Sequence, residues 1–415
     1  MTPVARQFLR LLALPALCAA ACAHAQTVDN SLSWSFQGFG SIGAVHSTEK
    51  QADYAANVLY PGKAGHSKQW SPEVDSRLGA QLSVDLDKRW SAVLQVVSER
   101  NLQNSWKPVV EWANVKYQAS PELSVRLGRI ALPMFLAGDY RKAGYALPWV
   151  RPPVELYGAL PISSSDGVDA SYLWQAGGMK HTTQVFYGST NRELGPGYRA
   201  HGHGISGIAH TMTSGALMLR GGVTTASLTV DVGRELFGGL RLFGPVGQGL
   251  ADRYEIKNKR VLVVNAGLSY DPGDWFVMAE AGRFNYNSAL GDFYGAYASA
   301  GIRLGAWTPY VQAARSHALM PTRVAGLPLA GLPPAAAATA AYLNGYLNSY
   351  LSAIPQQDSV AVGVRWDVCP GMALKLQYDR LHTRNGSSGT LINVQPGFRS
   401  GRHAGVASVL LDFVF

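Results

Sequence analysis

Three sets of residues have types and spacings that belong to known chemistries. Gly38, Gly40 and Gly43 spell G-x-G-x-x-G after a stretch of strand character. In a dinucleotide site the glycines open a helix whose N-terminus holds a pyrophosphate. Here Ala44-Val45-His46-Ser47-Thr48 continues as strand and loop, so the glycines are assigned to close packing or coiling within a strand. His201 and His203 share a face at i, i+2 and His210 follows, but no cysteine or acidic residue stands beside them to complete a ligand set. Ser163 to Ser165, Asp166 and His210 supply the types of a hydrolase triad without a G-x-S-x-G elbow, and there is no H-E-x-x-H pair. Cys369, beside Pro370-Gly371, is read as a small residue ending a strand. No metal and no cofactor is expected. What remains is the chemistry of fixed charge, which depends on where each side chain points.

Direction is set by alternation. Along residues 76–87, Leu78, Ala80, Leu82, Val84 and Leu86 fall on one face and Arg77, Gly79, Gln81, Ser83 and Asp85 on the other. The same period-two habit recurs near 32–45, 89–100, 109–118, 123–130, 167–175, 181–190, 204–212 and 216–224. It continues near 258–270, 275–286, 292–304, 307–317, 358–368, 372–383 and 402–415, which makes sixteen strands. Their connections alternate in length. Asp87-Lys88, Ser120-Pro121-Glu122, Ala176-Gly177-Gly178, Thr213-Ser214-Gly215, Asp271-Pro272-Gly273-Asp274 and Val368-Cys369-Pro370-Gly371 are tight turns, whereas 46–75, 131–166, 225–257 and 318–357 are long. Short turns at one end and long loops at the other are the organisation of a closed antiparallel transmembrane β-barrel. Trp90, Trp174, Trp275, Trp307 and Trp366 all lie within a few residues of a short turn, as an interfacial aromatic belt requires.

Composition and the N-terminus agree. The 415 residues are 47% hydrophobic but only 15% charged, against about 25% charged in ordinary soluble domains. Arg6 and Arg10 precede an apolar run from Leu11 to Ala21, and Ala23-His24-Ala25 is an A-x-A cleavage site, so residues 1–25 are read as a signal peptide and 26–415 as the barrel. Acylation at Cys22 is the alternative processing. With Cys18 and Cys22 in the signal, only Cys369 remains and no intramolecular disulfide can form. The formal net charge of +9 has no interleaved aromatic stripe, so nucleic acid is not an expected partner.

The last strand ends Val409-Leu410-Leu411-Asp412-Phe413-Val414-Phe415, which resembles the C-terminal assembly signature of Gram-negative outer-membrane proteins, with Phe415 as its terminal aromatic. Arg365-Trp366-Asp367 followed by Ala373-Leu374-Lys375-Leu376-Gln377-Tyr378 resembles the penultimate hairpin of proteobacterial porin-like proteins. With sixteen strands and a long third loop, the chain resembles the general diffusion porins over nearly its whole mature length. That resemblance implies an outer-membrane homotrimer in contact with lipids and the assembly machinery, passive transport of small hydrophilic solutes, no cofactor, and a third loop folded into the lumen. The acidic Pro-Glu-Phe-Gly-Gly stretch of the enterobacterial constriction loop is absent, so selectivity is argued from this chain's own charges.

Arg77, Lys116, Arg126, Arg220, Arg303, Arg365 and Lys375 fall on the lumen face, against Asp85, Asp169, Asp412 and Glu280. A lysine or arginine facing lipid at mid-membrane would cost about 2–4 kcal/mol, so these bases imply a water-filled interior. Arg77, Lys116 and Arg126 come from neighbouring strands and are expected to form one basic wall. The loop 131–166, with Asp139, Arg141, Lys142, Arg151, Glu155 and Asp166, is expected to face it. Residues 334–354 place Tyr342, Leu343, Tyr346, Leu347, Tyr350, Leu351 and Ile354 at helical spacing, predicting a helix in the loop 318–357 whose aromatic face packs on the barrel mouth or serves as a lid. The function these features predict is an anion-preferring channel. A barrel lipase or protease and a channel for hydrophobic compounds are the alternatives, the latter needing an apolar lumen.

Overall fold

The computed structural model describes residues 32–57, 62–158, 162–195 and 198–415. The signal-peptide reading therefore lies outside the described residues. Sixteen long strands follow one another in order. They are β1 (Ser33–Ser47), β2 (Arg77–Asp85), β3 (Trp90–Glu99), β4 (Val109–Gln118), β5 (Leu123–Ala131), β6 (Ser164–Ala176), β7 (Met179–Gly195) and β8 (Tyr198–Ser214). The second half comprises β9 (Leu217–Val230), β10 (Lys259–Tyr270), β11 (Trp275–Asn285), β12 (Phe293–Ile302), β13 (Trp307–Ala318), β14 (Gln357–Cys369), β15 (Met372–Thr383) and β16 (His403–Val414). Each pairs antiparallel with its neighbour, and β1 closes the ring on β16, with a two-residue strand at Trp70–Ser71 added beside β1. Closure leaves no long unpaired edge, the condition for a sheet to stand in a bilayer.

At the seam, Gly38 N donates to Phe415 O at 2.7 Å and Phe415 N to Gly38 O at 3.0 Å. A Cβ on Gly38 would lie 2.1 Å from the Phe415 ring, and one on Gly40 would lie 2.3 Å from the Phe413 ring. The glycine spacing thus makes room for two aromatic rings on the outer face. Trp90, Trp174, Trp275 and Trp307 are exposed at the short-turn end, and Trp307 stacks on Trp366 with centroids 5.1 Å apart.

The strands β7 and β8 run several residues past their expected ends and pair as far as Gly195 and Tyr198, forming a long hairpin. The long loops carry helices. α1 (Val154–Tyr157) lies in the loop after β5, α2 (Arg234–Arg241) and α3 (Gly244–Tyr254) in the loop after β9, and α4 (Pro334–Ser352) in the loop after β13. The sequence signals α4 but not α2 or α3, whose glycines at 238, 239, 244, 247 and 249 obscure helical propensity. Leu343, Leu347 and Leu351 of α4 pack against Leu236, Phe237, Leu240 and Tyr254, so α4 seats on the neighbouring loop's helices. Of the tyrosine stripe, Tyr346 and Tyr350 are partly buried against the same cluster and Tyr342 is exposed, so the expected aromatic contact is made in part, behind the drier leucines.

Candidate permeation site

The loop between β5 and β6 enters the barrel and crosses it. Leu132, Phe135, Leu136, Leu147, Trp149 and Leu156 are buried against Phe186, Ile205, Val261, Val263, Phe276, Phe284, Phe293 and Tyr297 of the wall from β7 to β12. Polar anchors fix its path. Glu280 accepts from Leu136 N, from the Tyr157 hydroxyl and, at 2.8 Å, from the Tyr297 hydroxyl. Trp149 Nε1 donates to Ser299 Oγ at 2.7 Å. Arg151 forks onto Asp75 at 2.9 and 2.6 Å, donates to Ser408 Oγ at 2.6 Å and lies 3.5 Å from Asp379. Glu155 on α1 accepts from Gln357 Nε2 at 2.7 Å, and its burial pushes the carboxyl above the usual range.

Between the loop's tip and the wall of β1–β4 a throat of about 510 Å3 remains, where charged and amide side chains alternate with Phe39, Tyr140, Val414 and Phe415. Gly138–Ala143 form one side; Gln37, Gln81, Gln95, Glu111 and Trp112 form the other. A bulge makes this wall. Gln95 pairs with Trp112 and Val96 with Val110, which leaves Glu111 as the extra residue and lets both Glu111 and Trp112 line the throat. Lys142 bridges Glu99 and, at 3.2 Å, Glu111, which also accepts from Ser163 Oγ. The throat is thus a balanced field of both signs and amides.

Arg77, Lys116 and Arg126 do not line the throat itself, although Arg77 shares Glu99 with Lys142 of the loop and Arg126 lies in the field of Asp139. Arg77 sits 4.0 Å from Glu99; Arg126 forks onto Asp169, and Lys116 is its cross-strand neighbour toward the short-turn end. Arg365 holds Asp367 at 2.7 Å and the carbonyls of Tyr145 and Leu147, while Lys375 is fully buried on Asp412 at 2.8 Å. Lys375 therefore anchors the loop and does not line an open pore. Arg303 lies beyond the end of β12, forked onto Asp271 of a short turn. Arg220 faces inward on β9 and has no ion pair among the described residues.

Of the loop charges, Asp139, Arg141 and Lys142 line the throat, whereas Arg151 and Glu155 are buried anchors. Asp166 belongs to β6, three residues before lumen-facing Asp169 and so on the opposite face, where Arg129 meets it at 2.7 Å. Alternation from Gln95 and Lys375 points to the missed Glu99 and Asp379; nothing in the sequence signals the bulge at Glu111.

The hydrolase types are not brought together. Ser163 lines the throat, while His210 is on the outer wall with Ile208, hydrogen-bonded to Thr183 and His181. His201 and His203 are exposed on the β7–β8 hairpin, and no group of three metal-ligating side chains occurs among the described residues.

A family model described as Gram-negative porin matches residues 12–386. A search of curated proteins finds no match. Among solved structures, OmpF of Salmonella typhi is similar at a TM-score of 0.54 and 10% identity, covering 92% of this chain and 97% of its own. An anion-selective porin from Comamonas acidovorans reaches 0.52 at 13% identity, covering 92% and 100%. The trimer form of OmpT, an outer membrane protein of Vibrio cholerae, reaches 0.51 at 10% identity, covering 93% and 100%. These likenesses establish the barrel fold. With the family match over most of its length, the chain belongs to the Gram-negative porins and is an outer-membrane channel.

Proposed function

We propose that the channel passes small hydrophilic solutes and ions by passive diffusion, without catalytic activity or a cofactor, as a homotrimer with a weak preference for anions. The observation that carries this reading is the throat between the inward loop and the glutamine-rich wall, where Glu111, Asp139, Arg141, Lys142 and three glutamines offer partners to a hydrated solute. The trimer rests on resemblance to general diffusion porins and on the trimer form of the Vibrio cholerae relative. The closing contact of Phe415 suits recognition by the outer-membrane assembly machinery, and the exposed apolar belt suits lipid.

Selectivity follows from what ion pairing leaves over. Arg126, Arg303, Arg365 and Lys375 are matched by Asp169, Asp271, Asp367 and Asp412, and Arg77 approaches Glu99. Lys116 and Arg220 face the lumen with no ion pair among the described residues; Glu280 in the field of Arg220 and Asp139 in the throat offset part of their charge, so the positive excess is small.

The test is reconstitution in planar bilayers under a KCl gradient. Conductance steps grouped in threes and a reversal potential on the anion side are expected. The preference should weaken above about 0.1 M salt, where the Debye length falls below about 10 Å. Lys116→Gln with Arg220→Gln should abolish it. No conductance would defeat the channel reading; cation selectivity, or a double variant that behaves as wild type, would defeat the selectivity assignment.

A further inference from the structure

On the extracellular side of the inward loop the lumen holds a second cavity, of about 680 Å3, whose chemistry differs from that of the throat. Leu132, Met134 and Ile162 of the loop bound it below, and the extracellular halves of β7 to β10 form much of its wall. Val261 and Val263 point into it and are buried, while Leu262 and Val264 between and beyond them are exposed on the lipid side. Residues 261–264 of β10 are therefore apolar on both faces. On β9, Ala226, Leu228 and Val230 continue the apolar wall, in register with β10. A passage that served only hydrated ions would gain nothing from such a surface, because an apolar wall offers no partner for the water that an ion carries.

Among the described lining residues a single charged side chain interrupts this surface, Arg192 of β7. Its Nη2 donates to Ser164 Oγ at 2.7 Å; Glu111 and Asp166 lie in its field, but neither forms an ion pair with it among the described residues. Ser163, the next residue, lines the throat, so Arg192 stands where the apolar vestibule meets the throat. A guanidinium presents a planar fork that matches a carboxylate. One such fork among apolar walls fits one negative charge; a dianion would leave its second charge unpaired against hydrocarbon.

We propose that this vestibule binds monocarboxylates with an apolar body, the carboxylate on Arg192 and the hydrocarbon against Leu228, Val261 and Val263, and presents them to the throat. The inference rests on the channel reading and names the solute class that the channel concentrates.

The experiment adds acetate, butyrate or hexanoate to the extracellular side of the full-length protein in a planar bilayer and measures block of its KCl current, with hexanol as the uncharged probe. The half-blocking concentration should fall about fourfold per added methylene. Hexanol should block about tenfold less well than hexanoate, and Arg192→Gln should raise the hexanoate value about tenfold. Leu228→Asn should flatten the chain-length dependence while leaving the preference for hexanoate over hexanol. Equal block by acetate and hexanoate, equal block by hexanol, or wild-type block in Arg192→Gln overturns the proposal while KCl conductance upholds the channel. A protein without KCl steps fails the channel reading instead. In that case calorimetric titration of the detergent-solubilised protein with the same three carboxylates still decides the site: no rise in affinity with chain length overturns it.

Discussion

Lys375 keeps its charge wholly inside the protein. Its Nζ is 2.8 Å from Asp412 Oδ2 and donates to the carbonyls of Gly144, Leu147 and Trp149 at 2.7, 2.7 and 3.0 Å. Ser41 Oγ donates to the other carboxylate oxygen, and a Cβ on Gly144 would come within 2.2 Å of it, so the loop's backbone is pressed directly onto the ion pair. A buried pair of this kind is costly to break from one side because the survivor remains uncompensated, at about 3–5 kcal/mol. Lys375→Met is therefore expected to release residues 144–149 from the wall. Hydrogen exchange of that segment measures it, and wild-type protection would show that the lysine is not the anchor. Alternation in the sequence correctly turns Lys375 inward, but alternation reports a face and not depth. Whether an inward base meets water or a loop depends on a segment more than two hundred residues away, which no local pattern encodes.

Strand elements are where local pattern suffices. A strand with lipid on one side and lumen on the other must alternate, and its turns must use glycine, proline and aspartate, so all sixteen strands are legible. The exceptions have physical causes. β7 and β8 outrun their hydrophobic period because, past the membrane, the hairpin needs only its backbone ladder, through Arg192–Ala200 and Glu193–Arg199. The bulge at Glu111 shifts register within one residue of correct alternation, so both phases look regular. The last strand is legible for the opposite reason: its apolar phase runs unbroken to Phe415, whose backbone completes two hydrogen bonds with Gly38. Deleting Phe415 removes both bonds and the ring over Gly38, leaving the seam open at its short-turn end. The heat-modifiable fraction recovered from outer membranes should fall several-fold, read by gel mobility before and after boiling. Unchanged recovery would place the assembly signal elsewhere.

At the scale of the molecule, two structures share one chain: a wall held by its closed ladder of backbone hydrogen bonds, and a loop held within it by side chains. The wall's stability is spread over sixteen strand pairs, while the loop depends on a few anchors, of which Trp149 is the largest fully buried side chain in the described structure. Its ring meets Tyr297 edge-on with centroids 5.5 Å apart, and its Nε1 donates to Ser299 Oγ. Truncation to alanine forfeits that packing and leaves a cavity, at a cost of about 3–5 kcal/mol. The ladder does not include Trp149, so the loss falls on the loop alone. Local opening rather than global unfolding is the expected response. Trp149→Ala should therefore assemble and show heat modifiability as wild type does, yet give a larger single-channel conductance with slow open-state fluctuations as the loop leaves and rejoins the wall. Conductance and noise equal to wild type would mean that the remaining anchors at Glu280, Arg151 and Lys375 hold the loop without it. A failure to assemble would mean that the loop and the barrel fold as one unit.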